Sequence, residues 1–237
     1  EIGLSRMVPY PMKIASWNCF RGECRSRALL LEELKPDIVV LQECGRPESE
    51  DAQCRWFGEK PDQGVGIVTK GPWSIEPGPL SVDVPHSVFP LEVTGPFPFH
   101  LLAVWAMPRP TYVRAILNAL DSYRKFLGAA PSIVIGDFNS HSRWDGRDAS
   151  ANHSGLVARL RDEFGLVSAF HGHAAKSGVS DEPATLYWQW NRGKQYHIDY
   201  CFVPADWVPR IRSVEVGGYK EWAEHSDHRP LTVDLSF

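Results

Sequence analysis

Ile-Val-Ile-Gly-Asp-Phe-Asn-Ser, residues 133–140, is an apolar run that ends in an aspartate, with an asparagine two residues later. The apolar part is typical of a buried strand. Polar groups at the end of such a strand are costly to bury unless they have partners. A second segment, residues 225–231, reads His-Ser-Asp-His-Arg-Pro-Leu and places an aspartate beside a histidine. These carboxylates, the amide and the imidazole together suit a hard cation and a phosphate.

The length and composition of the chain predict one large-cored domain. The chain has 237 residues, of which 43% are hydrophobic, and we expect a single domain over residues 12–237. Residues 1–11 are expected to be an N-terminal extension, either native or added for expression. A net charge of −4 argues against a basic coat for non-specific nucleic-acid binding, but it leaves room for a local basic groove.

The cysteine pattern and the hydropathy of the sequence predict where in the cell the protein acts. The five cysteines include no C-x-x-C pair, so a disulfide framework or a structural zinc site is not expected, and reduced thiols in a cytoplasm are the simpler interpretation. No apolar stretch is long enough to span a bilayer. We therefore predict a cytoplasmic monomer without a membrane partner.

The order of elements predicts an α/β protein with two packed sheets and helices outside them. Thr111–Leu127 is the clearest helix, because its apolar residues recur on one face. Thr185–Trp190 and Tyr196–Val203 are predicted strands around a polar turn. His171 and His173 are placed in a loop.

Polar residues end five of the predicted strands. Singly each is weak, because an aspartate after a strand is usually a cap or turn residue. Together they supply four carboxylates, two amides and one imidazole. They are Asn18, Glu43, the pair Asp137 and Asn139, Asp199, and the pair Asp227 and His228.

Five motifs in a fixed order resemble the endonuclease/exonuclease/phosphatase superfamily, which includes exonuclease III-type AP endonucleases and inositol polyphosphate 5-phosphatases. Taken as a whole, the sequence most resembles compact bacterial members of the AP endonuclease type. The resemblance implies a four-layered α/β sandwich, with two facing mixed β-sheets, outer helices and an active site where strand ends meet. The motifs are Trp17-Asn18, Leu41-Gln42-Glu43, Gly136-Asp137-Phe138-Asn139, His197-Ile198-Asp199-Tyr200 and Ser226-Asp227-His228.

The resemblance implies a metal site. Glu43 matches the family's metal-binding glutamate, Asp227 matches a second carboxylate near the metal, and Asn18 adds a neutral oxygen or holds the phosphate. Oxygen donors of this kind suit Mg²⁺, with Mn²⁺ as an alternative. The ion would neutralise phosphoryl oxygens and the developing charge on the leaving oxygen.

The resemblance also implies the catalytic group. Asp137 matches the residue that orients or deprotonates the attacking water, and Asn139 would fix its geometry. Asp199 matches the partner that holds His228 in one tautomer. The general base is either Asp137 or His228, since interacting groups of this kind titrate together.

One position departs from the family pattern. Many members carry a His or Tyr in the strand before the long helix, where this chain has Trp105. Tryptophan cannot exchange a proton, so protonation of the leaving group needs another donor. Arg109, Tyr112 or a metal-bound water are the alternatives.

The loops beside the motifs predict the substrate. Arg and Lys neutralise phosphates, and aromatic rings stack on splayed bases, so we expect nucleic acid, and DNA first. The alternative interpretation is that Asp145 and Asp148 offset the charges of Arg143 and Arg147 and that the aromatic residues pack into the core. The residues predicted to contact substrate are Arg21, Arg109, Tyr112, Arg143, Trp144, Trp188 and Arg192, with Arg147, Trp190, Lys194 and Trp222 nearby.

Three functions stay open at this point. The first is a metal-dependent phosphodiesterase that acts as a nuclease on DNA. The second is a phosphatase or phosphodiesterase for a small molecule or a lipid headgroup. A lipid enzyme would expose an apolar hairpin, for which residues 84–99 are the one candidate, although they are better explained as core strands. The third is an inactive binding module, which the complete set of polar residues argues against.

Overall fold

Fourteen strands and six α-helices form the computed structural model, which describes residues 10–81, 84, 88–178 and 181–237. The strands are β1 (Pro11–Asn18), β2 (Ile38–Cys44), β3 (Cys54–Lys60), β4 (Gln63–Thr69), β5 (Ser74–Pro77), β6 (Val88–Thr94), β7 (Phe99–Trp105), β8 (Ser132–Asp137), β9 (Leu166–Ser168), β10 (Leu186–Tyr187), β11 (Gln195–Tyr196), β12 (Asp199–Pro204), β13 (Ile211–Val216) and β14 (Leu231–Ser236). The helices are α1 (Cys24–Leu29), α2 (Tyr112–Ser122), α3 (Arg124–Leu127), α4 (His153–Phe164), α5 (Ala169–Ser177) and α6 (Tyr219–Trp222).

Two six-stranded mixed sheets face each other. The first has the order β13-β14-β1-β2-β4-β3, and the second has the order β5-β6-β7-β8-β12-β9. The pairs β1–β2 and β7–β8 are parallel and their neighbours are antiparallel. Strands β10 and β11 form a separate small hairpin.

Three apolar layers hold the sandwich together. The largest lies between the sheets, where Ile14 and Val40 of the first sheet join Leu101 and Ile135 of the second. Helices α2, α3 and α4 cover the outer face of the second sheet, and α1 covers the outer face of the first. Because both faces of each sheet are covered, its central strands are almost wholly buried, as their unbroken apolar runs predict. The predicted four-layered α/β sandwich is confirmed.

Several predicted boundaries were wrong for local reasons. The helix Thr111–Leu127 is divided at Tyr123, where the backbone leaves helical geometry. The strand Thr185–Trp190 stops after Tyr187, because Gln189 and Trp190 take positive φ angles of 53° and 58°. The strand Tyr196–Val203 is interrupted where Thr185 Oγ1 accepts hydrogen bonds from two consecutive backbone amides, at 2.9 and 3.1 Å.

Other elements were missed or misplaced. His171 and His173 lie on α5 and not in a loop. Strands β3, β5 and β9 were missed, since their short or polar sequences lack a clear apolar period. In the stretch 84–99, proposed as an alternative lipid-binding hairpin, β6 is a core strand and Phe99 begins β7; residues 85–87 lie outside the described part. All five cysteines are buried free thiols. Within the described ranges, no helix combines the length and the apolar character needed to cross a membrane.

Candidate active site

The candidate site lies where the ends of strands from both sheets meet. Asn18 and Glu43 come from the ends of the parallel strands β1 and β2. Asp137 ends β8 and is the direct register partner of Asp199, which begins β12. His228 precedes β14 and so returns to the same edge.

Backbone geometry that is unusual for these residue types sets the direction of two side chains. Glu43 sits at an irregularity in the pairing of β2 with β4 and has a φ of 59°. A bulge of this kind re-aims a side chain at the end of a strand. Gly136, with a φ of 147°, lies so close to β7 that an added Cβ would be 1.8 Å from the Val104 carbonyl oxygen. The glycine before Asp137 is therefore required by close strand packing.

Asn18 connects the two sheets. Its buried Nδ2 donates to Glu43 Oε1 at 3.0 Å and to Asp137 Oδ2 at 3.1 Å. Gln63 Nε2 on β4 donates to the other Glu43 oxygen at 3.3 Å. Glu43 is thus held on both carboxylate oxygens while it stays partly exposed.

His228 lies between two buried aspartates. Its Nδ1 is 2.9 Å from Asp199 Oδ2, and its Nε2 is 4.0 Å from Asp137 Oδ2. All three side chains are buried, and the two aspartates are fully so. An Nδ1–H donated to Asp199 leaves Nε2 directed at Asp137 and at whatever binds there.

Asp137 accepts a dense set of hydrogen bonds. Asn139 donates to it twice, from its backbone amide at 2.9 Å and from Nδ2 at 3.1 Å. Asn139 Nδ2 also donates to the Ala106 carbonyl at 3.2 Å, and the residue has a φ of 46°. Asn139 therefore fixes the orientation of the Asp137 carboxylate.

The pKa values of these groups are shifted by burial and by one another. Burial raises the pKa of Asp137 to about 7, against the opposing effect of His228. Burial disfavours a charged His228, but the carboxylates of Asp199 and Asp137 outweigh it and raise the pKa of His228 to about 10. The two carboxylates therefore favour the protonated imidazole, the form that can donate a hydrogen bond or a proton from Nε2.

The donors that could hold a metal form two adjoining groups. The ligand atoms of Asp137, Asp199 and His228 lie within 4.8 Å of one another. Glu43 and Asn18 join this group through the hydrogen bond of Asn18 to Asp137. The second oxygen of Asp199 is buried and has no hydrogen-bond partner among the described residues. A donor set dominated by carboxylate oxygens fits a hard divalent cation.

Asp227 is placed differently from the other predicted metal ligands. Its Oδ2 accepts a hydrogen bond from the Gln189 backbone amide at 3.1 Å, and its backbone carbonyl accepts one from Tyr187 at 2.8 Å. The structure therefore brings together Asn18 and Glu43, while Asp227 joins the loop of residues 226–228 to the β10–β11 hairpin.

Trp105, which stands where many family members carry a His or Tyr, has a structural role. Trp105 is only 8% exposed and belongs to the core between the sheets. Arg109 is exposed and forms an ion pair with Glu59 at 3.3 Å. Tyr112 is exposed and lines a cavity of about 220 Å³ together with Asn139 and Trp144. Of the two predicted substitutes, Tyr112 lies beside the site.

The loop after Asn139 presents basic and aromatic side chains. Trp144 is 47% exposed and its ring contacts that of Tyr196 at 4.7 Å between centroids. Asp145 and Asp148, the carboxylates that could offset Arg143 and Arg147, accept hydrogen bonds from nearby backbone amides. The ion pairs found among the described residues do not include either arginine.

A second aromatic group flanks the site on the side of Asn18. Trp188 and Trp190 are exposed, and Trp190 contacts the ring of exposed Phe20 at 5.3 Å. Arg21 and Arg192 are exposed on the same two loops. Phe20 was missed from the sequence, although it lies two residues after Asn18. Trp222, by contrast, is buried against Trp17.

Three positioning residues were also missed. Gln63 holds Glu43, Thr185 holds the backbone before Asp199, and Ser226 Oγ both donates to the Asn18 carbonyl at 2.7 Å and accepts from the His228 amide at 3.0 Å. Only Ser226 had a sequence signal, since it begins the Ser-Asp-His motif.

Comparison with known families places the site in context. The model of the Endonuclease/Exonuclease/phosphatase family matches residues 15–228, a range that contains every polar residue of the candidate site. Comparison with curated proteins returned no match.

Solved structures share the fold at low sequence identity. A 3′ phosphatase named NExo from Neisseria, bound to a product DNA hairpin, is 20% identical with a TM-score of 0.70, and the match covers 95% of this chain and 100% of that one. An AP endonuclease from Archaeoglobus fulgidus is 17% identical with a TM-score of 0.62, over 94% and 98% of the two chains. The endonuclease domain of TRAS1, a telomere-specific non-LTR retrotransposon, is 16% identical with a TM-score of 0.67, over 95% and 98%.

Proposed function

Because the chain belongs to the Endonuclease/Exonuclease/phosphatase family, we propose that it is a metal-dependent phosphodiester hydrolase that cuts DNA. The observation that carries the proposal is the buried group of Asp137, Asp199 and His228, joined through Asn18 to the partly exposed Glu43. Burying three titratable side chains together is costly, and buried groups with shifted pKa values cluster at functional sites.

Glu43 and Asn18 would hold a divalent cation, Mg²⁺ or Mn²⁺, with Asp227 near it. When bound, the ion supplies positive charge against the phosphoryl oxygens. Gln63 and Asn18 keep the Glu43 carboxylate in one orientation, which lowers the cost of ordering it on binding.

His228 would act on the phosphoryl oxygens, and Asp137 would act on the attacking water. Asp199 holds the imidazole so that Nε2 faces the site, and the raised pKa of His228 keeps a proton there to stabilise phosphoryl oxygen charge. Asp137, oriented by Asn139, would bind and orient the attacking water. Tyr112, which lies beside the site, is the candidate donor of a proton to the leaving group.

The exposed side chains around the site support a nucleic-acid substrate. Five exposed aromatic residues flank it on two sides, and rings of this kind stack on unpaired bases. Exposed basic residues on the same loops would neutralise phosphates beyond the scissile one. The aromatic residues are Phe20, Tyr112, Trp144, Trp188 and Trp190, and the basic ones are Arg21, Arg143, Arg147, Arg192 and Lys194.

The neighbours also support DNA, since one is bound to a product DNA hairpin and another is an AP endonuclease. The test is a panel of plasmid, single-stranded DNA, abasic duplex, RNA, inositol phosphates and sphingomyelin, each incubated with Mg²⁺. Cleavage of one of the DNA substrates is expected. Hydrolysis of inositol phosphate or sphingomyelin alone would replace DNA with a small or lipid phosphoester, and no hydrolysis at all would favour a binding module.

A salt titration separates a polymeric from a small substrate. The affinity for DNA should fall as salt rises, because bound phosphates release counterions. Replacing Arg143 and Arg147 with Ala should make the slope of log affinity against log salt shallower by about one for each phosphate that the variant no longer neutralises. Turnover of a small chromogenic phosphodiester should hardly change. If turnover of both substrates fell equally, these residues would not form a DNA surface.

A further inference from the structure

A fully buried arginine lies beside the loop of residues 226–228. It is not part of the motif quoted for the family, and it has no role in the chemistry proposed above. Arg229 follows His228 directly and has no exposed surface. The ion pairs of the described residues do not include it. A buried charge without a carboxylate partner is costly, so this arginine needs a reason to be there.

Two tyrosine rings and two backbone carbonyls contact the guanidinium of Arg229, in place of a carboxylate. The guanidinium lies 4.8 Å from the ring centroid of Tyr187 and 4.8 Å from that of Tyr219. Contacts of this kind stabilise a desolvated cation. Its Nη1 donates to the carbonyls of Ser226 and His228 at 2.7 and 2.8 Å.

Those two carbonyls bracket the residues of the Ser-Asp-His motif. A planar guanidinium that binds both of them fixes the path of the backbone between Ser226 and His228. The remaining atoms Nε and Nη2 are buried without hydrogen-bond partners among the described residues. The side chain is therefore fixed by its ring contacts and by the loop alone.

The same group of rings reaches the hairpin that carries the exposed tryptophans. The rings of Tyr187 and Tyr219 contact each other edge to face, with centroids 4.7 Å apart. Arg192 lies 5.1 Å from the Tyr219 ring centroid, and the Tyr219 hydroxyl donates to the Trp190 carbonyl at 2.8 Å. The Arg229 backbone amide donates to the Thr185 carbonyl at 2.7 Å. The hairpin and the loop of residues 226–228 are thus joined by backbone bonds and by a cluster of arginine and tyrosine side chains.

We propose that Arg229 is a positioning residue for the reaction: packed against the rings of Tyr187 and Tyr219, it fixes the Ser226–His228 backbone so that the imidazole of His228 faces Asp199 and the scissile phosphate. The role in the reaction rests on the proposed hydrolase function. Arg229 does not reach the substrate. Its removal should therefore lower kcat and leave KM nearly unchanged.

The test compares Arg229→Lys and Arg229→Met with wild type on a small chromogenic phosphodiester, at a temperature well below the unfolding of each variant. Lysine keeps the charge, but its compact ammonium ends one atom short of the Nη1 position and lacks the plane that packs against both rings. In both variants kcat should fall by about tenfold to a hundredfold, the scale of a 1 Å misplacement near the reacting atoms. Arg210→Met is the matched control, because exposed Arg210 also lies over an aromatic ring, that of Phe237 at 5.1 Å, beside the end of β14 that is opposite to His228.

The Tyr219 variants cover the case in which Arg229→Met does not fold. Tyr219→Phe keeps the ring and should retain kcat, whereas Tyr219→Leu removes one of the two rings that contact the guanidinium and should lower kcat several-fold. A second readout needs no activity: the proton on Nδ1 of His228, bonded to Asp199, should give a downfield NMR signal in the wild type that shifts or broadens in Arg229→Met and Tyr219→Leu.

The outcomes separate the two proposals. A lowered melting temperature with an unchanged kcat and an unchanged His228 signal would make Arg229 a core-packing residue and overturn the inference. A wild-type protein that hydrolyses no phosphodiester would defeat the proposed function, while the NMR comparison would still decide whether Arg229 positions His228.

Discussion

Replacing Asp199 with asparagine should slow the reaction strongly while the fold survives. Asp199 Oδ2 accepts the Nδ1 proton of His228 at 2.9 Å inside a fully buried group. Asparagine is almost the same size, but it carries no charge to hold the imidazole in one tautomer or in its protonated form. The change therefore removes the partner of His228 without opening a cavity.

The size of the effect follows from the hydrogen bond that is removed. A hydrogen bond to a charged group contributes about 1.5–3 kcal/mol, which is about 10- to 150-fold in rate at about 1.36 kcal/mol per factor of ten. This range agrees with the usual contribution of a general acid or base, about 10²- to 10⁴-fold, at its lower end. We expect kcat to fall by about 10²-fold.

The assay is steady-state hydrolysis of a small phosphodiester and of DNA at saturating Mg²⁺. Asp206→Asn is the matched control, because Asp206 lies exposed just after the same strand, and it should behave as wild type. Near-ultraviolet circular dichroism reports whether the fold is kept. A folded Asp199→Asn variant with wild-type kcat would refute the pairing of Asp199 with His228 as a catalytic feature.

Three further changes test the metal site, the buried histidine behind it and the aromatic surface. Glu43→Gln should raise the Mg²⁺ concentration for half-maximal activity by at least about tenfold, since a charged ligand becomes neutral. His153→Gln should reduce acid sensitivity. Burial lowers the pKa of His153 to about 4 in the folded protein, whereas the unfolded chain takes up the proton at about pH 6.5. The free energy of unfolding, measured with urea, should therefore fall as the pH drops from about 6.5 to about 4, by up to about 3 kcal/mol. Trp144→Ala with Trp188→Ala should weaken binding of single-stranded DNA by about 1–3 kcal/mol per stacked base and spare the small phosphodiester.

Each of these changes has a control of the same residue type or character. Glu48→Gln should leave the Mg²⁺ dependence unchanged, His173→Gln should leave the slope of stability against pH unchanged, and exposed Leu80→Ala should leave DNA binding unchanged. An unaltered Mg²⁺ requirement in Glu43→Gln would remove Glu43 from the metal site. An equally steep acid transition in His153→Gln would assign the pH dependence to other groups.

The fold and the polar centre were predictable because they depend on local sequence with strong physical constraints. Unbroken apolar runs such as residues 133–135 form central strands only when both faces of a sheet are covered. The polar residues at the strand ends then meet at one edge. The pairing of Asp199 with His228 was predicted from the family resemblance, and the structure places them 2.9 Å apart.

The surroundings of the centre were not predictable, because they depend on contacts between segments distant in sequence. Nothing near Gln63 indicates that it holds Glu43, and nothing near Thr185 indicates that it accepts two amides before Asp199. Arg229 directly follows the Ser-Asp-His motif, but its two tyrosine partners lie on other segments. Positive φ angles at Phe20 and Trp190 depend on tertiary contacts, and they create an aromatic surface that no periodicity signals.

The most direct test of the account is cleavage of an end-labelled DNA by metal-free protein before and after addition of Mg²⁺. Wild type and His228→Ala are compared on a duplex and on its single strand, and the products are resolved on a denaturing gel. The account predicts fragments from the wild type only after Mg²⁺ is added, and a rate at least about 10²-fold lower for the variant. Equal cleavage in chelator, or equal cleavage by His228→Ala, would contradict the claim that this site is a metal-dependent phosphodiesterase.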